Sequence, residues 1–218
     1  MVVSDTVQAP IVKLVDVADI EWREVELAAS SPAVKLKRLH GDTDTGAFTV
    51  MVRFPPGWAR DGDGHYDVIE EVLFLAGSLH LTGETYEADD YTVLPSDYPR
   101  HGSRAGDNGA FALAWFSGAN DWHPGASTEE DRARADWSRH RWTDVEPTVD
   151  SPLGSGRARV LRVGGDRSAF VLDGVDAGAP SPATAELYSF DDRVWARVPA
   201  GAPLPVLVGP LYCRIQHL

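Results

Sequence analysis

Cysteine is almost absent. Cys213 is the only one in 218 residues, so no disulfide can close within the chain, and a reducing, cytoplasmic setting is expected. Long apolar runs are missing as well, and no stretch approaches the roughly 20 residues that a membrane helix needs. The opening Met1-Val2-Val3-Ser4-Asp5 lacks a basic segment followed by an apolar one, which argues against a secretory signal. Positive charge is scarce: 20 Lys and Arg face 33 Asp and Glu, for a formal net charge of −13. Such a surface repels phosphate backbones and anionic lipid, so neither nucleic acid nor a membrane is an expected partner. Glycine-rich phosphate loops and the Gly-x-Ser-x-Gly elbow do not occur, and Cys213 has no evident activating neighbour.

What is present is period-2 patterning, from about residue 11 to 120. Val34 to Leu39 alternates, and Asp42-Thr43-Asp44-Thr45-Gly46 is turn chemistry leading into Ala47 to Phe54. Glu70 to Leu75 reads as a strand ended by Gly77. Ser78 to Leu81 pairs with Tyr91 to Leu94 across a polar turn, and Arg104 to Gly109 is a hairpin tip before Ala110 to Phe116. Many short strands with Gly and Pro punctuation predict an all-β sandwich or barrel.

One helix interrupts this pattern. Ser127-Thr128-Glu129-Glu130 has the form of a capping box, and Asp131 to Trp137 continues it. With the Pro, Gly and Ser stretch from Pro147 to Gly156 it reads as a connector. An internal echo supports two units. Lys37 to Asp42 before Ala47 to Val50 resembles Leu161 to Asp166 before Ala169 to Leu172. Glu70 to Phe74 resembles Ala185 to Phe190, and Leu94 to Pro99 resembles Val198 to Pro203. In the second copy Pro205 falls at the place of His101, and the region around His65 has largely gone. The expected division is 11–125, a helix and linker over 126–156, and a shortened second unit over 157–218.

The chemistry gathers in residues 55–102: Pro55-Pro56-Gly57, His65-Tyr66-Asp67, Glu70-Glu71, Gly77, Pro95 and Pro99-Arg100-His101-Gly102. Turn-bounded strands can bring such histidines and carboxylates to one metal ion in a barrel mouth. The order and spacing resemble the two motifs of the cupin family. The first is glycine, a gap, His-x-His, a few residues, glutamate, six residues, glycine; the second is proline, a gap, histidine. The chain departs from that pattern at Asp67, where the second histidine is usual, and the segment is one residue short. Ile20-Glu21-Trp22-Arg23, Arg53 to Gly57 and Glu70 to Leu73 look like the ChrR-like group of cupins, including bicupins.

This resemblance implies a double-stranded β-helix, or jelly-roll barrel, in two tandem units, the second degenerate. It implies a divalent metal, Fe(II), Zn, Mn or Ni, held by His65, His101 and Glu70, with Asp67 or Glu71 as further ligands. Side chains at i and i+2 share a strand face, so His65 and Asp67 can point inward together. Counting back from Gly77 selects Glu70; counting forward from His65 selects Glu71. His101 and Glu70 are the expected catalytic pair. Arg53, Trp58, Tyr66, His80 and Tyr98 are the expected substrate pocket, since aromatic rims suit small organic molecules. The expected function is a metal-dependent cupin enzyme, of dioxygenase or cyclase and isomerase type, on an aromatic or enolisable small molecule. A non-catalytic small-molecule or zinc sensor and a metal-independent cyclase or isomerase are the alternatives. A homodimer formed through barrel edges is also expected.

Overall fold

The computed structural model describes residues 12–125, 137–164 and 167–217. In chain order its strands are β1 (Lys13–Asp16), β2 (Arg23–Val25), β3 (Ser30–Ser31), β4 (Val34–Gly41), β5 (Phe48–Phe54), β6 (Ala59–Arg60), β7 (Gly64–Tyr66) and β8 (Glu70–Leu81). They continue with β9 (Glu84–Glu87), β10 (Asp90–Leu94), β11 (Arg104–Phe116), β12 (Trp122–Pro124) and β13 (Ser138–Arg141). The last are β14 (Val149–Asp150), β15 (Arg157–Gly164), β16 (Arg167–Leu172), β17 (Thr184–Ser189), β18 (Val194–Val198) and β19 (Leu211–Gln216). Short 3-10 turns at Val17–Asp19 and Trp142–Asp144 are the helical pieces among the described residues. The helix expected over 127–137 lies, apart from Trp137, outside those residues. None of the described helices is long and apolar enough to cross a membrane.

The described residues are nearly all β, and their ladders are antiparallel. They form two units, residues 20–144 and residues 12–19 with 145–217. In the first unit the sheet runs β2-β4-β5-β11-β8-β10-β13; in the second it runs β14-β15-β16-β19-β17-β18-β1. The two orders correspond strand for strand. β4 and β15 each carry a register shift against the next strand, around Leu39 and Leu161, and both leucines are buried. This pairing places the first echo of the sequence two residues off. The other two stand as read, because Glu70 and Ala185 lie opposite Leu94 and Val198 in equivalent ladders.

Chain order and unit do not coincide at the edges. Lys13 to Asp16 pairs with Val194 to Arg197, in the second unit. Ser138 to Arg141 pairs with Asp90 to Val93, in the first. The first unit therefore begins after β1 and extends past residue 125. Strand periodicity identifies both segments as strands but carries no information about which sheet they join.

In the first unit one face of the sheet buries Val50, Val52, Val72, Phe74, Leu79, Leu81, Ala110, Ala112, Ala114 and Phe116 in one cluster with Trp58, Tyr66, Tyr86, Leu94 and Tyr98. These positions alternate along β5, β8 and β11, as a half-buried strand requires. Gly77 does not end its strand. With φ of 69° it sits at a bulge of β8 facing Ala110, and a Cβ there would lie 2.1 Å from the Gly109 carbonyl oxygen. Only glycine lets the two backbones approach so closely.

The second unit's core includes Leu153, Leu187, Leu204, Leu211 and Cys213. Burial raises the Cys213 thiol pKa and blocks access to it. Disulfide reagents should therefore not label the folded protein at pH 8, and one thiol should titrate as denaturant unfolds it.

Candidate active site

The inner face of the first unit is set by backbone contacts between four pairs of residues. Gly64 and Arg100 exchange amide and carbonyl in both directions, at 3.2 and 2.8 Å. Asp97, held in a turn at φ of 63°, donates its amide to the Tyr66 carbonyl. The Arg60 amide donates to the Ser103 carbonyl, and Ala105 donates to Trp58. Alternation puts Trp58 on one face with Arg60, and Tyr66 on one face with Gly64, which lies opposite Arg100; these residues and Ser103 are buried.

Two guanidinium groups meet there. Arg100 Nη2 donates to Glu70 Oε2 at 2.5 Å, with side chains 7% and 12% exposed. Its guanidinium lies 4.6 Å from the centre of the Tyr66 ring. Arg60 Nη2 donates to the Tyr66 hydroxyl at 2.9 Å. The Arg60 guanidinium sits 4.0 Å from the Trp122 ring centre, 5.5 Å from Tyr66 and 5.9 Å from Trp58. Each such cation–π contact is worth about 0.5–2 kcal/mol, whereas burying an ion costs several. The rings steer Arg60 without neutralising it.

The expected metal ligands do not assemble. His65 lies between the inward Gly64 and Tyr66 and so turns outward. Its ring stacks on His123 at 5.3 Å and its Nε2 is 3.6 Å from Asp97. Asp67 faces the same surface, 3.5 Å from His123 Nε2. His101 follows the inward Arg100 and lies close enough to His80 to help depress its pKa. Partial burial is the main cause of that shift, and Arg104 also contributes. His80 itself points outward and contacts the Thr85 hydroxyl at 3.2 Å. Glu70 is inside the barrel, while Glu71 takes the opposite face and accepts from the Tyr91 hydroxyl at 3.0 Å. Among the described residues no three His, Cys, Asp or Glu side chains group as metal ligands would.

The physical reason is a slip of one residue in two places. In strands of period 2, such a slip exchanges inside for outside. The inward pair on β7 is Gly64 and Tyr66, not His65 and Asp67, and the inward residue after the Pro95 turn is Arg100, not His101. In this register Tyr66 is followed by three residues, Glu70, six residues and Gly77, and the missing position no longer arises. Gly64 has no side chain, and a Cβ there would lie 2.3 Å from Trp122 Cζ2. Tyr66 accepts from Arg60, Glu70 is engaged by Arg100, and Arg100 is itself a cation. That donor set does not fit a divalent metal.

Of the expected pocket residues, Trp58, Tyr66 and Tyr98 are buried in the core cluster of the first unit. Arg53 is not. It is exposed on β5, stacked on Trp22 at 4.6 Å and Phe111 at 5.0 Å. Arg60, Arg100, Ser103 and Trp122 were not singled out from the sequence. The signal for Arg100 was its place two residues after Tyr98, an aromatic that alternation also sends inward.

The second unit supplies an internal comparison. Gly201 donates its amide to the Ser181 carbonyl as Asp97 does to Tyr66, and Gly178 and Ala179 bond Leu204 as Gly64 bonds Arg100. The segment 178–181 thus replaces the region that looked deleted. At the four inward positions it carries Ala179, Ser181, Ala185 and Leu204 where the first unit has Gly64, Tyr66, Glu70 and Arg100. The charge pair has become an apolar pair.

Residues 12–114 match the family model of the ChrR Cupin-like domain. No curated protein sequence matches the chain. Among solved structures, it is similar to a candidate dioxygenase from Nostoc punctiforme PCC 73102, at 15% identity over 94% of this chain and 82% of that one, TM-score 0.77. A protein from Pseudomonas aeruginosa assigned as glyoxylate-induced is 12% identical over 88% and 83%, TM-score 0.58. A deletion variant of Bacillus subtilis oxalate decarboxylase is 13% identical over 94% and 76%, TM-score 0.55. At these identities the likeness is one of fold. Residues 12–114 are similar to the ChrR cupin-like domain, and the chain has the cupin fold.

Proposed function

We propose that the first unit is a metal-independent cupin that holds a small aromatic, enolisable molecule and moves a proton on it. The observation that carries this reading is the Glu70–Arg100 pair inside an aromatic-lined barrel. Glu70 Oε2 is fixed by Arg100, which leaves Oε1 as the base for a proton next to a substrate carbonyl. The electron pair left on carbon passes to the carbonyl oxygen. A guanidinium donor of Arg60 or Arg100 would stabilise that enolate, as fixed cations do in a site shielded from water. Returning the proton at a different atom completes an isomerisation or the first step of a cyclisation. The second unit, with Leu204 and Ala185 at the equivalent positions, is a non-catalytic tandem copy in this reading.

Phenylpyruvate tautomerisation, followed by ultraviolet absorbance and by exchange of the α-proton with deuterium, tests this. Wild type should accelerate exchange at least tenfold over buffer, and Glu70→Gln should abolish the gain. His65→Ala and His101→Ala should match wild type. Metal content after loading with Fe(II), Zn(II), Mn(II) or Ni(II) should stay well below one per chain in all four proteins. One bound ion per chain, lost in His101→Ala, would overturn the reading.

A further inference from the structure

On the inner face of the first unit several hydrogen-bond donors are buried without a partner. Trp58 Nε1, Arg60 Nε, Arg100 Nε and Ser103 Oγ are all buried without a hydrogen-bond partner. Their residues are 3%, 7%, 6% and 4% exposed. Buried polar atoms are nearly always paired, so four in one place call for a missing partner. Three of the four can only donate. The partner must therefore bring acceptors.

Charge narrows its nature. Arg60 and Arg100 contribute two buried cations, and among the described residues Glu70, on Arg100, is the one carboxylate within ion-pair distance of either. Arg60 has a phenol and three rings around it but no counter-ion among the described residues. Water could fill the hydrogen bonds but cannot cancel the charge. A buried, hydrogen-bonded ion is stable when an opposite charge reaches it.

We propose that the occupant of this barrel is a monoanionic aromatic acid. Its carboxylate is seated on Arg60 with Trp58 Nε1 and Ser103 Oγ, and its ring packs among Trp58, Tyr66 and Trp122. A carboxylate matches the planar fork of a guanidinium. The inference rests on the reading of the first unit as a small-molecule site, and it names the ligand's charge and class.

The test compares benzoate with benzamide, benzylamine and acetate on the full-length protein, by tryptophan fluorescence and thermal unfolding. Benzoate should bind saturably and raise the melting temperature. Benzamide, benzylamine and acetate should each bind at least tenfold more weakly. Arg60→Met should erase the preference for benzoate over benzamide, and Arg60→Lys, which keeps the charge, should restore part of it. Ser103→Ala should weaken benzoate several-fold and serves if Arg60→Met does not fold. Equal binding of benzoate and benzamide, or no binding of benzoate, overturns the inference whatever Glu70→Gln does to phenylpyruvate. Selective benzoate binding with unchanged exchange in Glu70→Gln would instead sink the proposed chemistry and leave the anion site standing.

Discussion

Replacing Arg100 by leucine should cost about 3–5 kcal/mol of unfolding free energy, and adding Glu70→Ala should recover most of it. Removing one partner leaves a buried charge uncompensated, while removing both often costs little. The side chains of the pair are 7% and 12% exposed, so solvent offers little screening. The second unit shows that this backbone tolerates the neutral version, since Leu204 and Ala185 occupy the same places and are buried. Urea unfolding of the two single variants and the double variant is the measurement. The coupling between the two sites should be at least about 2 kcal/mol, within the range known for interacting residues. Additive losses would mean that Arg100 acts through packing on Tyr66 and not through its charge.

The second large effect is expected at Gly64. A methyl group there would lie 2.3 Å from Trp122 Cζ2 and 2.5 Å from the His123 carbonyl oxygen. Neither distance is tolerable without movement. Gly64→Ala should destabilise by about 1–3 kcal/mol, the usual cost of overpacking, and Gly64→His by more. Trp122→Ala in the same chain should relieve part of the clash, because the ring is its nearer half. If Gly64→His folds with wild-type stability, the indole is free to move and the argument against a metal ligand at this position fails. Thermal melts of the three variants decide the point.

Much of this was legible in the residues. Period-2 runs located β4, β5, β8, β10 and β11, and the Leu94 and Val198 echo was in true register because each leads into the same proline turn. Pro95 and Pro199 each accept from an amide three residues on, at 3.1 Å in both cases. The candidate site was read one residue out for a physical reason. The loop Arg60-Asp61-Gly62-Asp63-Gly64 carries no hydrophobic alternation, so nothing in it transmits the phase of β6 to β7. His65 and His101 carry metal-ligand chemistry that Tyr66 and Arg100 beside them lack, so residue type alone favours the outward neighbour at both places. Counting six residues back from Gly77 selects Glu70, which the structure places inside against Arg100, although Gly77 marks an irregularity within β8 and not the end of a strand.

The edge strands carry a practical consequence. Arg139 and Arg141 on β13 hold the buried Asp90 carboxylate at 2.6 and 3.4 Å. A fragment cut at 11–125, where the composition suggests a boundary, would lose both arginines and bare the amides and carbonyls of β10. It would also carry Lys13 to Asp16 with no ladder to join. Such a piece invites self-association through open edges, and the two halves of this chain should be soluble when produced together rather than apart.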